Sequence, residues 1–180
     1  MILQRRHKMK IVFISDVHGV PSALELALAK ADKLGYDRLV LLGDLLYHGP
    51  RNGVPELYDP VEVSKLLNER KDSIVAVRGN CDAEVDQMML EFPMMGDYAL
   101  LDCGRERFFL THGHRWNADA LSPIGMGNVL VHGHTHIPVL RRLECGITVF
   151  NPGSVSLPKG GFARSMGYYD GETLSHIELG

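Results

Sequence analysis

Cysteine is scarce in this sequence, and the few cysteines present show no pairing pattern. Only three of the 180 residues are cysteine, at positions 81, 103 and 145. Small secreted domains that depend on disulfides carry many closely spaced cysteines, whereas a chain of this length buries enough surface to fold without them. The sequence therefore excludes a disulfide scaffold, and we expect a cytoplasmic protein.

Long hydrophobic runs are missing as well. The basic first ten residues are followed by an apolar stretch of only four, residues 11–14, which is too short for a signal-peptide core or a membrane span. We therefore expect no membrane partner. Residues 1–8 are expected to be a disordered extension, or to precede an alternative start at Met9, and residues 9–180 are expected to form a single domain.

Neither sign of charge predominates. The 19 Lys and Arg residues against 22 Asp and Glu residues give a formal net charge of -3, which provides no general attraction for a polyanion. Nucleic acid is therefore not an expected partner, and a small-molecule ligand has to be captured by a defined site.

Short apolar runs rich in β-branched residues recur along the chain, and each is followed by glycine together with Asp, Asn or His. The five runs cover residues 10–15, 38–42, 73–77, 107–111 and 128–131. Runs of this length and composition are typical of buried strands. Apolar residues at helical spacing predict helices over residues 21–35 and 60–70, the second with Asp59 as its N-terminal cap.

The second half of the chain changes to strand-like segments separated by turns. These segments cover residues 99–103, 107–111, 139–143, 147–150, 166–170 and 173–177, and they predict hairpins. The fold class indicated is α/β, a sandwich of two sheets with flanking helices, the first sheet partly parallel and the second more antiparallel. The main long loop, residues 45–59, directly follows Asp44.

Polar residues that follow five separate strands are expected to meet at one edge of the fold, because ligands bind beyond the carboxyl ends of strands in α/β sheets. A single histidine after a strand is more often a structural residue; the indication of a site comes from the convergence of all five. We predict a metal centre with seven ligands: Asp16, His18, Asp44, Asn80, His112, His134 and His136. Oxygen and imidazole ligands without thiolate suit Mn²⁺, Zn²⁺, Fe²⁺, Co²⁺ or Ni²⁺.

Seven ligands are more than one cation takes from a protein, so we predict two divalent cations that share Asp44. Asp16, His18 and His136 are assigned to the first cation, and Asn80, His112 and His134 to the second. A water bridging the cations would become a hydroxide nucleophile at neutral pH, and the cationic site would favour a phosphoryl group. Asp44, Asn80 and His112 are the candidate catalytic residues.

The motifs Asp-x-His, Gly-Asp, Gly-Asn, His-Gly-His and Gly-His-Thr-His, in this order, resemble those of the calcineurin-like metallophosphoesterases. Residues 41–60, 78–82 and 151–161 resemble more narrowly the small bacterial phosphodiesterases of the YfcE type. The resemblance implies hydrolysis of a small phosphodiester and manganese as a frequent activator. Many superfamily members carry a general-acid histidine after Gly-Asn, where this chain has Cys81. A thiol is a poor proton donor to an alkoxide, which favours substrates with good leaving groups.

Four further residues are candidate substrate contacts: Arg78, Cys81, His48 and His114. For Arg78 the alternative is a solvated arginine at a strand end. His48 lies with Arg51 and Asn52 on the loop after Asp44, which either lines the substrate pocket or is purely a connection. Two other functions remain open at this point. One is a phosphomonoesterase or nucleotidase of the same fold, and the other is a non-catalytic protein-binding scaffold that resembles the retromer subunit. The sequence also leaves open whether the chain forms a homo-oligomer.

Overall fold

The computed structural model describes residues 8–104, 106–121 and 127–180, which form two sheets and their flanking helices. Three α-helices of the described residues follow the first three strands in turn: α1 (Pro21–Leu34), α2 (Pro60–Asn68) and the short α3 (Glu84–Gln87). The ten strands, in chain order, are β1 (Ile11–Ile14), β2 (Arg38–Leu41), β3 (Ile74–Ala76), β4 (Tyr98–Asp102), β5 (Arg107–Thr111), β6 (Val129–Val131), β7 (Val139–Arg142), β8 (Thr148–Asn151), β9 (Ser165–Tyr169) and β10 (Leu174–Glu178). The predicted extension falls outside the described residues except for Lys8.

The first sheet has the order β10-β9-β1-β2-β3. Its strands β1, β2 and β3 are parallel, with Ile14 opposite Leu41 and Leu41 opposite Ala76. The hairpin of β9 and β10 returns at the end of the chain and pairs antiparallel to β1. The carboxyl ends of β1, β2 and β3 therefore meet at the same edge of this sheet.

The second sheet has the order β4-β5-β6-β8-β7. Hairpins join β4 to β5 and β7 to β8, as predicted, but β5, β6 and β8 are parallel neighbours. The expectation that this sheet is the more antiparallel one is wrong, because each sheet contains two parallel and two antiparallel pairs of strands. The long connection after β5 returns the chain to the end at which β5 began, and the antiparallel strand β7 intervenes between β6 and β8, so that β5, β6 and β8 run in the same direction.

The core occupies the space between the sheets and a second layer under the helices. Phe13 of β1 contacts Phe108 and Phe150 of the second sheet, with ring centroids 5.8 and 5.7 Å apart. Its neighbours Val12 and Ile14 point to the opposite face, where they belong to the cluster that includes Leu24 and Leu28 of α1. Both faces of β1 are thus covered, and the site must lie at the strand ends.

Local signals in the sequence account for the helix boundaries. Pro21 stands at the start of α1, and Gly35, at φ 71°, ends it by donating its N–H to Ala31 O at 2.9 Å. The predicted cap of α2 is confirmed, since Asp59 accepts the N–H of Glu62 at 3.0 Å. In the described part of the chain, no helix has the length and apolar character to cross a membrane.

Candidate metal centre

All seven predicted ligands lie in loops at the carboxyl ends of β1, β2, β3, β5 and β6. Five of them are almost completely buried: Asp16, His18, Asp44, His112 and His136, with at most 3% of their surface exposed. His134 is half-buried and Asn80 is exposed. Buried carboxylates and imidazoles in such number need compensating charge and hydrogen bonds.

The backbone at these positions is unusual. Of the six described non-glycine residues with positive φ, five are predicted ligands: Asp16, His18, Asp44, His134 and His136, at φ between 51° and 69°. The left-handed region costs an L-residue about 1–2 kcal/mol. Such strain persists where the surrounding structure enforces it, and it concentrates at functional sites. These bends allow Asp16 and His18, two residues apart in the chain, to bring Asp16 Oδ1 and His18 Nε2 within 3.8 Å of each other.

Two glycines beside the predicted ligands, Gly79 and Gly133, lie too close to neighbouring loops to carry a side chain. A Cβ atom built on Gly79 would lie 2.0 Å from Asp44 Oδ1, and one on Gly133 would lie 1.9 Å from Ser15 Oγ. Any side chain at these positions would displace the loops that carry Asp44 and Asp16. The glycines therefore allow the strand ends to approach one another closely.

The inner half of the centre consists of Asp16, His18 and His136. Nε2 of His18 and Nε2 of His136 are 3.3 Å apart, and Asp16 Oδ1 lies 3.8 and 3.3 Å from them. The Nδ1 atoms of the two histidines face the carbonyl oxygens of Tyr47 and Leu157, at 2.9 and 2.5 Å. Carbonyl oxygens only accept, so each Nδ1 carries a proton, which leaves Nε2 of each ring as the atom directed inward and able to bind a cation.

The outer half consists of Asn80, His112 and His134. His112 Nε2 lies 3.0 Å from Asn80 Oδ1 and 3.3 Å from His134 Nδ1, while His112 Nδ1 donates to Leu42 O at 2.6 Å. Asp44 stands between the halves, because its Oδ2 lies 3.4 Å from His112 Nε2 and 3.8 Å from His18 Nε2.

These residues fit divalent cations. Asp16 Oδ1 is buried and accepts no hydrogen bond from the described part of the chain, although two imidazole nitrogens point to the same space. Asp16, His18 and His136 form one group whose ligand atoms all lie within 4.8 Å of one another, and Asp16, Asp44 and His112 form another. A carboxylate oxygen left without a donor among imidazole lone pairs is the arrangement that a cation completes.

Electrostatics within the centre couple Asp44 to His112. Burial alone would raise the pKa of Asp44, but the hydrogen bond and charge of His112 and the Cys81 N–H lower it below its usual value. Burial alone would lower the pKa of His112, but Asp44 and Asp16 raise it to about 9. The raised pKa means that His112 holds a proton next to Asp44. A cation bound between the two side chains would replace that proton.

Asp82 supports the centre and was not among the predicted site residues. Its carboxylate accepts three backbone N–H groups, those of Asp44, Leu45 and Gly79, at 2.8, 2.9 and 2.7 Å. Burial and the nearby charge of Asp44 raise the pKa of Asp82 to about 6. Its position next to the Gly-Asn motif was the only available signal, since its partners lie up to 38 residues away in the chain.

The turn after β8 supports the loop that follows β1. The hydroxyl groups of Ser154 and Ser156 both donate to Asp16 O at 2.8 Å. The Asn151 side chain donates to Gly133 O and Thr135 Oγ1 at 2.9 and 3.0 Å. This segment therefore fixes the two loops that provide the inner half.

A cavity of about 680 Å³ opens above the centre, and Cys81 is among the residues that line it. The other three predicted substrate contacts are not among these lining residues. Arg78 pairs with Asp97 at 2.8 Å, His48 packs between Tyr47 and Tyr58, and His114 packs against His112. Arg51 and Asn52, which the sequence indicated as possible pocket residues of the loop after Asp44, do line the cavity, together with Tyr47, Thr135 and Lys159, which the sequence did not indicate.

The comparisons with known proteins agree with this geometry. The chain is 47% identical to the phosphodiesterase YfcE of Escherichia coli K12 over 171 residues, 95% of the chain and 92% of that protein. The structure of E. coli YfcE, a phosphoesterase, superposes with a TM-score of 0.90 and covers 95% of this chain and 93% of that one.

More distant structures share the fold alone. An archaeal phosphodiesterase is 23% identical with a TM-score of 0.71, over 94% of this chain and 99% of its own. Vps29 from Chaetomium thermophilum is 17% identical with a TM-score of 0.64, over 93% and 86% of the two chains. They confirm the predicted two-sheet sandwich.

The match to a family model covers most of the chain. Residues 9–173 match the calcineurin-like phosphoesterase superfamily domain, and the identity of 47% to YfcE extends over nearly the whole of both chains. The predicted hydrolase of phosphoric esters is confirmed, and this chain belongs to the calcineurin-like phosphoesterase superfamily.

Proposed function

We propose that this hydrolase is a metal-dependent phosphodiesterase that uses two divalent cations, with manganese as the activating metal. The observation that carries the proposal is the inner half of the centre, where the buried Asp16 Oδ1 accepts no hydrogen bond from any described residue and the Nε2 atoms of His18 and His136 face it. The diester specificity is supported by the relatives at 47% identity, which are named phosphodiesterases. Manganese suits the mixed oxygen and imidazole ligands.

The seven ligands divide between the two cations as their positions suggest. Asp16, His18 and His136 hold the inner cation, and Asn80, His112 and His134 the outer one. Asp44 is shared, since its carboxylate lies between His18 and His112. When bound, the two cations supply an activated water as nucleophile and stabilise the charge that develops on the phosphoryl oxygens.

The chain's own groups position these components. The Cys81 N–H donates to Asp44 Oδ1 at 2.8 Å, which leaves Oδ2 directed between the histidines. The peptide carbonyls of Leu42, Tyr47 and Leu157 hold three imidazole rings in the tautomer that binds metal. We assign catalytic roles to Asp44, Asn80 and His112 and call these three residues the reacting face of the centre. Asn80 is exposed, lines the cavity and lies against His112.

Cys81 determines the leaving-group preference in this proposal. Burial, together with the charge of Asp44, raises the pKa of the Cys81 thiol to about 12, so that it stays protonated and is a weak acid. An alcohol that departs as a stable anion needs no proton, whereas an alkoxide does. We therefore propose a preference for aryl or other acidic leaving groups.

The cavity suits a small diester. Its volume of about 680 Å³ falls within the range of small-molecule sites. Arg51 and Lys159 at its wall are exposed cations that can attract the phosphodiester, a role for which Arg78 is less suited because Asp97 neutralises it. We assign substrate contact to Cys81, Arg51 and Lys159.

We further propose that residues 9–180 act as one domain in the cytoplasm. The domain assignment is supported by the core that both sheets share, in which Phe13 meets Phe108 and Phe150. The location is supported by the three cysteines, all of them in the described part of the chain and all free thiols.

The test is hydrolysis by chelator-treated protein to which single metals are returned. Diesters and monoesters that share the 4-nitrophenyl leaving group are compared. We expect no turnover without metal, recovery with Mn²⁺, and a higher kcat/KM for the diester. Undiminished turnover in demetallated protein would refute the metal mechanism, and preference for the monoester would identify a phosphomonoesterase or nucleotidase. A loaded protein inactive on both would instead support the scaffold function.

A further inference from the structure

A second, smaller cavity adjoins the metal centre. Its volume is about 230 Å³, and its walls include Leu46, Tyr58, Val85 and Met89. Tyr47 and Cys81 line both this cavity and the larger one. Because the N–H of Cys81 donates to Asp44 Oδ1 at 2.8 Å, this apolar groove begins one residue away from the reacting face of the centre.

The chemistry of the groove differs from that of the main cavity. Its walls are aliphatic, aromatic or sulfur-containing except for Asp86, which is 8% exposed and whose Oδ2 accepts the N–H of Ala83 at 2.7 Å. Asp86 is thus committed to the start of α3. The main cavity, in contrast, carries Arg51 and Lys159. A charged or polyhydroxylated group would lose hydration in the groove without replacement, whereas an apolar group would gain from burial.

The groove wall is held in place by aromatic packing. A Cβ atom on Gly19 would lie 2.3 Å from Cε2 of Tyr58, which shows how closely this ring approaches the loop after β1. The ring of His48 lies between those of Tyr47 and Tyr58, with centroids 4.6 and 5.3 Å away. The two tyrosines are therefore fixed before any substrate arrives, which lowers the cost of binding.

We propose that this groove binds one of the two ester arms of the substrate, and that this arm is an uncharged apolar group about the size of one aromatic ring. A cavity of about 150 Å³ is sufficient for benzene, so the volume allows a substituted ring. The proposal rests on the proposed phosphodiesterase function and names its substrate class. Tyrosine rings and methionine sulfur are favourable partners for an aromatic ring.

The chain offers a matched pair of variants. Val85 and Met88 are both exposed, at 61% and 86%, and both belong to the segment that begins with α3, but only Val85 lines the groove. We expect Val85→Asp to raise KM for bis(4-nitrophenyl) phosphate about tenfold or more, with kcat changed less than about threefold. Met88→Asp should change neither constant. Equal effects of the two variants, or no effect of Val85→Asp, would overturn the proposal.

A binding measurement separates this inference from the enzymatic function. Phenol is titrated into the chelator-treated protein and followed by the methyl NMR signals of Val85, Met88 and Met89, with glycerol as the polar control. We expect phenol to shift the signals of Val85 and Met89 and not that of Met88, and glycerol to shift none. A protein that binds phenol in this way but hydrolyses no diester would refute the proposed function and leave an apolar site. Diester hydrolysis without these shifts would refute the groove.

Two further controls keep the test decisive. If Val85→Asp does not fold, Val85→Thr retains the branched shape and replaces one methyl group by a hydroxyl, and about a threefold rise in KM is expected. Sedimentation of both aspartate variants tests whether this face joins two copies of the chain. A dimeric parent that becomes monomeric in both variants would overturn the proposal in favour of a subunit interface.

Discussion

The inner and outer halves of the metal centre differ in how firmly their ligands are held. Asp16, His18 and His136 are exposed by at most 3%, and Asp16 has hydrogen bonds from Ser15 Oγ and the His134 N–H, at 2.7 and 3.0 Å. In the outer half, Asn80 is exposed to the cavity and its side chain contacts only His112 and Cys81 among the bonds described. We therefore expect the inner half to be preformed. In the outer half His112 is equally buried, and we expect the positions of Asn80 and His134 to depend on what enters the cavity.

This contrast implies different affinities. A cation in the inner half would replace no hydrogen bond of Asp16 Oδ1 and would be shielded from water, so that it should bind tightly and exchange slowly. A cation in the outer half lies beside the cavity, where the substrate can contribute a ligand. Variants of Asp44, Asp16, His18 and His134 test whether the halves differ, and variants of Asp82 and Cys81 test what supports and adjoins both.

The largest effect is expected from Asp44→Asn, because this residue serves both halves. We expect kcat to fall by about a thousandfold or more and the bound metal to fall at both positions. Asp16→Asn should affect mainly the inner cation and cost less rate. Elemental analysis with kinetics on both variants checks this, and full retention of two equivalents in Asp44→Asn would show that Asp44 is not shared.

Removing one histidine from each half tests the comparison directly. His18→Ala should abolish the tight equivalent in a manganese titration, while His134→Ala should keep it and weaken the second equivalent. We expect a change in affinity of about a hundredfold at the half concerned, since a directly bound group is lost. Identical titration curves for the two variants would mean that the halves are equivalent.

Asp82→Asn tests the support beneath both halves. Replacing one acceptor oxygen by an NH₂ group leaves at least one of the N–H groups of Asp44, Leu45 and Gly79 without a partner. We expect metal affinity to fall about 10–100-fold and the free energy of unfolding by about 1–3 kcal/mol.

Asp86→Asn is the matched control for that variant, because Asp86 is equally buried at 8% but accepts the N–H of Ala83, the residue that precedes α3. It should reduce stability without changing metal affinity. If calorimetric metal titrations of the two variants coincide, Asp82 has only a structural role.

The smallest effect is expected from Cys81→Ala. Since the thiol is a weak acid in the proposed mechanism, kcat on a diester with a poor leaving group should change less than about threefold when metal content is matched. Cys81→His should flatten the dependence of kcat on leaving-group pKa, provided that the imidazole does not bind metal. A hundredfold loss in Cys81→Ala would show that the thiol takes part in catalysis.

The sequence indicated the family, the fold and the set of seven candidate ligands because each depends on short local patterns. An apolar run followed by Gly-Asp or Gly-Asn reports both a buried strand and the residue at its end. The residue roles themselves remain predictions that the variants above test. The parallel pairing of β5, β6 and β8 could not be inferred, since it depends on where the connection after β5 and the intervening strand β7 place the chain.

The support and the substrate contacts were also beyond local patterns. Asp82 meets Asp44 across 38 residues, and Ser154 meets Asp16 across 138, distances at which sequence spacing carries no information. Arg78 follows a strand, as is typical of a phosphate-binding residue, but a salt bridge to Asp97 occupies its guanidinium group. Such pairings arise only when the fold brings separate segments together.

The left-handed backbone at Asp16, His18, Asp44, His134 and His136 has a consequence for the history of such chains. Each of these residues holds a conformation that glycine would adopt without steric cost, so each of the five side chains is kept at a steric cost of about 1–2 kcal/mol. In the proposed mechanism, metal binding is the reason to keep them. In a related chain that no longer binds metal, we expect glycine to be accepted at these five positions more readily than at other buried positions.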